Sequence, residues 1–172
     1  NMEMGKEAES PAPPAAKKKK VVVVGGGPAG MQAARTLASR GHETTLYEKT
    51  DKLGGQWGIL SNHRTGTGAL IRYLKTQMEK NGVKVNMNSE ITAAMVAEMK
   101  PDAVVVATGV VPVPLDVPGA DKKHVVLATD VLSGKASVDQ EVVVVGGKLV
   151  GLDTALHLAE IGKNVSVVTR SK

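Results

Sequence analysis

The sequence of 172 residues contains no cysteine and no phenylalanine, and it has only one tryptophan and two tyrosines. The absence of cysteine excludes disulfide bonds, thiol redox chemistry and cysteine-ligated metal centres within this chain. An iron–sulfur cluster would therefore have to lie elsewhere. The scarcity of aromatic side chains also removes the stacking platforms on which single-stranded nucleic acids bind.

Long apolar runs are missing as well. The longest are groups of valines that end at glycine, far short of the roughly 20 residues that span a bilayer. The N-terminal residues are acidic and lack the apolar stretch of a secretory signal, so we predict no membrane partner and a cytoplasmic location. The formal charge is +5, but four of the lysines form the run Lys17–Lys20, and we predict no nucleic-acid partner.

Hydrophobic residues make up 42% of the sequence, with many valines, alanines and glycines. This balance is typical of parallel α/β sheets whose strands are buried on both faces. Residues 1–17 mix Glu, Ser, Ala and three prolines without apolar periodicity, which predicts a linker to a neighbouring domain of a longer polypeptide.

The remaining pattern alternates between predicted strands and helices. Strands are predicted at Val21–Val24, Thr44–Tyr47, Val83–Met87, Asp102–Ala107, Glu141–Val145 and Val165–Val168. Helices are predicted at Met31–Arg40, at Gly68–Lys80, more weakly at Glu90–Met99, and between the second glycine loop and the last strand. Residues 124–132 are too mixed to assign. Three prolines keep residues 110–119 out of any central strand. This order predicts a truncated Rossmann-like α/β fold with a central parallel sheet.

An internal repeat supports two nucleotide-binding units. VVVVGGGPAG at Val21–Gly30 matches VVVVGGKLVG at Val142–Gly151 with an offset of 121 residues, and the match continues beyond both loops. We predict a first dinucleotide-binding βαβ domain over residues 18–112, a connecting segment over 113–138, and the start of a second βαβ domain over 139–172.

The first glycine loop has the residues that a diphosphate requires. Gly25 and Gly27 allow a tight turn and a close approach of the phosphates to the backbone, and Gly30 lets the helix pack close to the strand. Pro28 and Ala29 begin that helix, whose free N–H groups and positive dipole end would face the phosphates.

Glu48 lies 23 residues after Gly25, at the end of the second predicted strand. A carboxylate there can accept hydrogen bonds from both ribose hydroxyls of an adenosine. Loop and acid together predict a site for an ADP moiety, that of FAD being favoured. A Rossmann-like fold with another ligand, such as a methyl donor or a bare nucleotide, is the alternative.

The sequence resembles the two-dinucleotide-binding flavoproteins from about Lys18 to its end. The resemblance depends on VVVVGGGPAGMQAARTLASRGHETTLYEK, DKLGGQW, VVVATG and the second glycine loop before GLDTALHLAEIGKNVSVVTR. This group includes disulfide reductases and the C-terminal halves of dienoyl-CoA reductase, enoate reductase and trimethylamine dehydrogenase. The stretches GHETTLYEKTDKLGGQ and GALIRYLKTQMEKNGVKVNMNSEIT place it nearest to the enoate reductase branch of these NADH:flavin oxidoreductases.

The resemblance implies an oxidoreductase in which hydride passes from NAD(P)H to FAD and electrons continue to a second centre. That centre would belong to a missing N-terminal barrel domain, which by family resemblance carries FMN and an iron–sulfur cluster. We expect this chain alone to be inactive as a reductase. The alternatives are a non-redox structural module that holds ADP, as in trimethylamine dehydrogenase, and an isolated domain without a bound ligand.

The resemblance also implies cofactor contacts outside the first loop. These residues are Lys49, Gly54, Gly55, Gln56, Val85, Ala107, Thr108 and Gly109. Gly54, Gly55 and Gln56 would pass beside the flavin or its diphosphate, and Val85 would offer its backbone to adenine. The last three residues would close the adenine end. Plain turns remain the alternative for the glycine pair and for the Thr108–Gly109 turn.

The second loop keeps Gly146 and Gly151 but has Lys148 where the first loop has its middle glycine. A side chain there obstructs a close phosphate, although its ammonium group can also approach one. Thr169 and Arg170 follow the last strand in place of an acid, which favours NADPH over NADH.

No metal site or protein catalyst is predicted. The four histidines have neither a carboxylate nor a second histidine at metal-ligand spacing, and His157 is expected to be structural. No nucleophile has a paired base, so a cofactor would carry the reaction.

Overall fold

The computed structural model describes residues 12–61, 63, 66–113 and 115–170. The chain divides into two compact units. The first runs to Gly58 and continues over Ala69–Gly109, and the second comprises Ile59–Gly68 and the chain from Val110 onward. The predicted linker lies largely outside the described residues. Its last part forms no helix or strand, but the Ala15 N–H donates to the carbonyl oxygen of Arg40 at 2.9 Å.

The first unit holds a parallel sheet of four strands in the described part of the chain, in the order β3-β2-β1-β4. The strands are β1 (Lys20–Val24), β2 (Glu43–Tyr47), β3 (Lys84–Asn86) and β4 (Ala103–Val106). The helices are α1 (Pro28–Ser39), α2 (Gly55–Leu60), α3 (Thr67–Lys80) and α4 (Ala93–Met99), of which α2 and α3 extend partly into the segment assigned to the second unit. The predicted α/β fold with a central parallel sheet is confirmed.

One face of this sheet is buried against α1 and α3. Val23 and Leu46 of neighbouring strands are fully buried and pack with Met31, Leu74 and Met78 of the two helices. Because β1 lies between β2 and β4, its carboxyl end has a neighbouring strand end on each side. The loop after β1 is thereby placed at the centre of the sheet edge, where ligands of open α/β sheets bind.

The second unit repeats this start with β5 (Glu141–Val145), α6 (Leu149–Glu160) and β6 (Asn164–Val168), preceded by the short helix α5 (Ala128–Leu132). Strands β5 and β6 pair in parallel from Glu141 opposite Asn164, as β1 and β2 pair from Lys20 opposite Glu43. Lys20 and Glu141 are 121 residues apart, as are Glu43 and Asn164, and this is the offset of the repeat found in the sequence. The repeat therefore reflects two copies of one backbone arrangement.

The elements depart from the prediction in four main places, the first being α1, which begins at Pro28 rather than Met31 because proline suits the first turn of a helix. Helix α2 was not predicted, because its sequence GQWGIL opens with glycine and is only six residues long. Helix α4 begins at Ala93 rather than Glu90, since the Thr92 hydroxyl accepts a hydrogen bond from the Met95 N–H and caps the helix there. The unassigned segment before residue 133 contains α5.

Candidate functional site

Two glycines of the first loop are required by the fold itself. Gly25 has a φ of +109°, and its N–H donates to the carbonyl oxygen of Tyr47 at 2.8 Å. A Cβ on Gly25 would overlap the backbone carbonyl of Ala107 after β4, and a Cβ on Gly30 would overlap the carbonyl oxygen of Gly25. Any larger residue at either position would displace backbone, so these two glycines reflect packing within the protein.

Gly27 differs from its neighbours because nothing in the protein requires it to be glycine. It has φ −73° and ψ 176°, which any residue adopts, and no atom lies within 4 Å of a Cβ built on it. This open space lies at the N-terminus of α1, where Pro28 and Ala29 form the first turn. A glycine here keeps the backbone accessible from outside, which fits a diphosphate approaching the helix N-terminus.

Glu48 is held against this loop by hydrogen bonds on both carboxylate oxygens. It follows β2 and is 7% exposed. Its Oε2 accepts from the Gly26 N–H at 2.7 Å, and its Oε1 accepts from the Thr50 N–H at 2.9 Å and the Thr50 hydroxyl at 2.8 Å. The acid predicted to bind ribose therefore borders the glycine loop and is fixed by its protein partners.

The predicted glycine pair packs onto the first loop. The N–H of Gly54, whose φ is +121°, donates to the Gly26 carbonyl oxygen at 2.8 Å. A Cβ on Gly55 would lie 3.3 Å from the Cα of Gly27. Gln56 is exposed at the start of α2. Gly54 thus ends the bend before α2 and Gly55 begins that helix, and Gly55 also borders the backbone of Gly27.

The segment after β4 closes the other side of the loop. Ala107 donates its N–H to the carbonyl oxygen of Val24 at 2.8 Å, and the Thr108 nitrogen lies 3.1 Å from the position of a Cβ on Gly25. Gly109, like Lys49 after β2, is exposed, and a Cβ on Gly109 would meet no atom within 4 Å. The structure thus brings Ala107 and Thr108 to the loop and shows no such contact for Gly109.

Val85 lies in the middle of β3 rather than beside Glu48. Its side chain lines a cleft of about 460 Å³ together with Met78 of α3 and Leu53. The backbone carbonyl that reaches Glu48 belongs to the next residue, since the Glu48 N–H donates to the Asn86 oxygen at 2.9 Å. Asn86 is therefore the residue of β3 that is hydrogen-bonded to the backbone of Glu48.

Sequence reasoning missed Gly26 and Thr50 at this site, as well as Asn86. Gly26 is buried, and a Cβ there would lie 2.5 Å from a methyl carbon of Leu53 and 3.0 Å from Glu48 Oε2. Thr50 binds Glu48 through two donors. The signal available for Thr50 is its position two residues after a carboxylate, where a hydroxyl can bond locally.

The second loop reproduces the first in its backbone. Gly146 has a φ of +123°, and its N–H donates to the Val168 carbonyl oxygen at 2.8 Å. A Cβ on Gly151 would overlap the carbonyl oxygen of Gly146, just as a Cβ on Gly30 would overlap the carbonyl oxygen of Gly25. A Cβ on Gly147 would lie 2.8 Å from the Thr169 side chain, which takes the place of Glu48.

Lys148 occupies the position of Gly27 without backbone strain. It precedes α6 with φ −89° and ψ 178°, close to the values of Gly27, and it is exposed. Arg170, just after β6, is also exposed. The second loop therefore combines the shape of the first with a side chain in the space that Gly27 leaves open, and with a cation beyond the strand end instead of a buried acid.

Two histidines of the second unit are in contact. The ring centroids of His63 and His157 lie 4.0 Å apart, and His63 Nε2 lies 2.7 Å from the Leu132 carbonyl oxygen, which can only accept a hydrogen bond. Burial and, secondarily, the neighbouring His63 lower the pKa of His157, while Glu160 acts to raise it. Within the described ranges no group of three or more His, Cys, Asp or Glu residues could hold a metal ion.

Helices long and apolar enough to cross a membrane do not occur among the residues that the structure describes.

Known proteins are similar to this chain in sequence and in fold. An NADH oxidase of Thermoanaerobacter brockii is 48% identical over 149 residues, which are 82% of this chain and 23% of that protein. A cinnamate reductase of Clostridium sporogenes is 39% identical over 142 residues, 81% of this chain and 21% of that protein. A solved 2-naphthoyl-CoA reductase complex superimposes with a TM-score of 0.90 at 41% identity and covers 97% of this chain and 26% of its own.

The chain thus spans about a quarter of the length of the relatives it matches. Residues 19–172 match the family described as pyridine nucleotide-disulphide oxidoreductase, and both βαβ units lie within that range. The chain belongs to the pyridine nucleotide-disulphide oxidoreductase family.

Proposed function

We propose that this chain is the FAD- and NAD(P)H-binding part of a flavin-dependent oxidoreductase of the enoate or dienoyl-CoA reductase type. The observation that carries the proposal is the open space at Gly27, at the N-terminus of α1, in the loop whose preceding residue Gly26 is hydrogen-bonded to the carboxylate of Glu48. When bound, FAD would supply the transfer of electrons from NAD(P)H to a further centre. The names of the relatives, an NADH oxidase and a cinnamate reductase, support redox chemistry.

At the first loop the protein would bind and orient the ADP moiety. The backbone at Gly27 admits the diphosphate, and N–H groups of the first turn of α1 stabilise its charge. The Glu48 carboxylate accepts a hydrogen bond from a ribose hydroxyl. The other proposed contacts are Lys49, Gly54, Gly55, Gln56, Val85, Ala107, Thr108 and Gly109, of which Val85 would contact the cofactor from β3.

At the second loop Gly146 and Gly151 would shape the turn for NAD(P)H. Thr169 stands where an acid would repel a 2′-phosphate, and the exposed Arg170 adds a positive charge, so the site favours NADPH. Lys148 is expected to weaken the close backbone contact that Gly27 allows in the first unit.

The proposal extends to the parent protein. Because the chain spans about a quarter of its relatives, the remainder would include an N-terminal barrel domain with FMN and an iron–sulfur cluster. Residues 1–17 would link the two parts, residues 18–112 would form the FAD domain, 113–138 the connection, and 139–172 the start of the NAD(P)H domain. A cytoplasmic location stays a prediction, which fractionation of cells that express the parent protein would check.

The proposal is tested by mixing the purified chain with FAD, desalting it and recording the visible absorption spectrum. We expect flavin bands to remain with the wild type and to disappear in Glu48→Ala, because the variant lacks the ribose acceptor. Glu43→Ala is the matched control. Glu43 lies on the same β2 strand, and its exposed pair with Lys84 at 3.1 Å contributes little to stability.

Circular dichroism of all three proteins shows whether Glu48→Ala remains folded. A wild type that keeps no flavin contradicts the proposal for this chain. A colourless protein that binds ADP in calorimetry would identify a structural ADP module instead.

A further inference from the structure

The Glu48 carboxylate has little hydrogen-bonding capacity left for a ligand. An ionised carboxylate offers about four acceptor positions, two on each oxygen. Oε1 already accepts from the N–H and the hydroxyl of Thr50, at 2.9 and 2.8 Å, and Oε2 accepts from the Gly26 N–H at 2.7 Å. Three positions are thereby used within the protein. The one that remains is on Oε2, the oxygen bonded to the glycine loop.

The hydrogen bond from the Thr50 hydroxyl occupies the second acceptor position of Glu48 Oε1. It has one hydrogen and two acceptors within reach, Glu48 Oε1 at 2.8 Å and the Lys52 carbonyl oxygen at 3.0 Å. If the hydrogen pointed to Lys52, two acceptor oxygens would face each other at 2.8 Å next to a negative charge. The charged acceptor at the shorter distance therefore takes the hydrogen, because hydrogen bonds to ionised groups are the stronger ones.

We propose that Thr50 restricts Glu48 to a single hydrogen bond with the ribose of a bound ADP moiety, so that this site distinguishes one ribose hydroxyl from the other. The inference rests on the proposed function, since it concerns the ligand of the first loop. Thr50 acts through Glu48 and is a positioning residue. This outcome differs from the bidentate ribose contact that the sequence predicts for an acid at this position.

The test compares ADP, 2′-deoxy-ADP and 3′-deoxy-ADP by titration calorimetry on the full chain. In the wild type we expect one deoxy analogue to bind about tenfold or more weakly than ADP, as loss of a hydrogen bond to a charged group predicts, and the other to bind within about twofold. The heat of ADP binding that is lost in Glu48→Ala is assigned to the first loop. This comparison distinguishes binding at the first loop from binding at the second loop.

Thr50→Val and Thr50→Ser provide the matched pair. Thr50→Val keeps the N–H and the shape of the side chain but frees one acceptor position on Oε1, so both deoxy analogues should now bind more weakly than ADP. Thr50→Ser retains the hydroxyl and should restore the one-sided wild-type pattern. A general structural role for Thr50 would change all three affinities together and would leave their ratios unchanged.

Each outcome decides a different claim. Equal losses for the two analogues in the wild type overturn the restriction, and this comparison needs no variant to fold. A one-sided pattern that persists in Thr50→Val shows that Thr50 is not its cause. Absence of any ADP heat sensitive to Glu48→Ala overturns the proposed function itself, and the inference about Thr50 with it.

Discussion

At the scale of single residues, the three fingerprint glycines of the first loop serve two different purposes. Gly25 and Gly30 are surrounded by backbone atoms of the protein, whereas a Cβ on Gly27 would point into open space. The fold requires the first two, and we propose that a ligand accounts for the third. A glycine with no internal reason to be glycine is thus a marker of the binding site.

This distinction predicts different effects of alanine at two of these positions. Gly27→Ala should leave the free energy of unfolding within about 1 kcal/mol of the wild type, because φ −73° suits alanine but an N-cap position favours glycine over alanine. It should nevertheless abolish flavin retention. Gly30→Ala should destabilise the protein by about 1–3 kcal/mol, because the new methyl group would overlap the Gly25 carbonyl.

Urea unfolding monitored by circular dichroism measures the first effect, and the spectrum after desalting with FAD measures the second. Unchanged flavin retention in a folded Gly27→Ala protein would show that no diphosphate passes close to this backbone.

Lys148 allows the same reasoning in the second loop. We expect Lys148→Gly to bind NADPH about tenfold more tightly than the wild type, a difference of ~1.4 kcal/mol, because it removes the obstructing Cβ. Lys148→Ala is the control that removes the charge and keeps the Cβ, so it should stay weak. Calorimetric titration of the three proteins distinguishes the effects. Weaker binding by both variants would mean that the ammonium group binds the phosphates.

At the scale of elements, helix α6 of the second unit buries the side chains of Thr154 and Leu158. His157, which precedes Leu158, is partly buried beside His63. The carbonyl oxygen of Leu132, at the end of α5, lies 2.7 Å from the His63 ring. His63 is therefore connected to α5 through the Leu132 carbonyl oxygen and to α6 through the ring of His157.

This arrangement predicts a loss of stability on mild acidification. The pKa of His157 is lowered from 6.5 in the folded chain, chiefly by burial, so the unfolded chain takes up the proton first. The contribution of neutral His157 to the free energy of unfolding is complete above pH 6.5, and it is lost as the pH falls from there through the lower pKa of the folded state. Thermal unfolding between pH 8 and pH 5 should show this decline in the wild type and a smaller one in His157→Gln.

His124→Gln serves as the control, since His124 is an exposed histidine of the same unit. An identical pH dependence in the wild type and in His157→Gln would assign the decline to other groups.

At the scale of the whole molecule, one backbone plan occurs twice with different chemistry at corresponding points. The positions of Gly27 and Glu48 become Lys148 and Thr169, while the strand pairing and the helix start are kept. Side chains at two positions per unit therefore distinguish the expected ligands. The fold and the family follow from the shared backbone, and selectivity would follow from these substitutions.

Much of this arrangement was determined by the sequence by itself. Runs of valine before glycine, the apolar faces of the helices and the repeat at 121 residues depend on neighbours close in the chain, so they predict the strands, α1, α3 and both glycine loops. The position of Glu48 at the end of β2 follows from the same local spacing.

Only the tertiary structure decided which distant groups meet at the site. That Asn86 and not Val85 reaches Glu48 depends on the register of β3 against β2. The approach of Ala107 to Gly25 depends on β4 lying beside β1. Strand register and order result from packing of the whole sheet, which no local pattern contains. Thr50 is only two residues from Glu48, but the hydrogen bond from its hydroxyl to Oε1 became evident only from the positions of the two side chains in the structure.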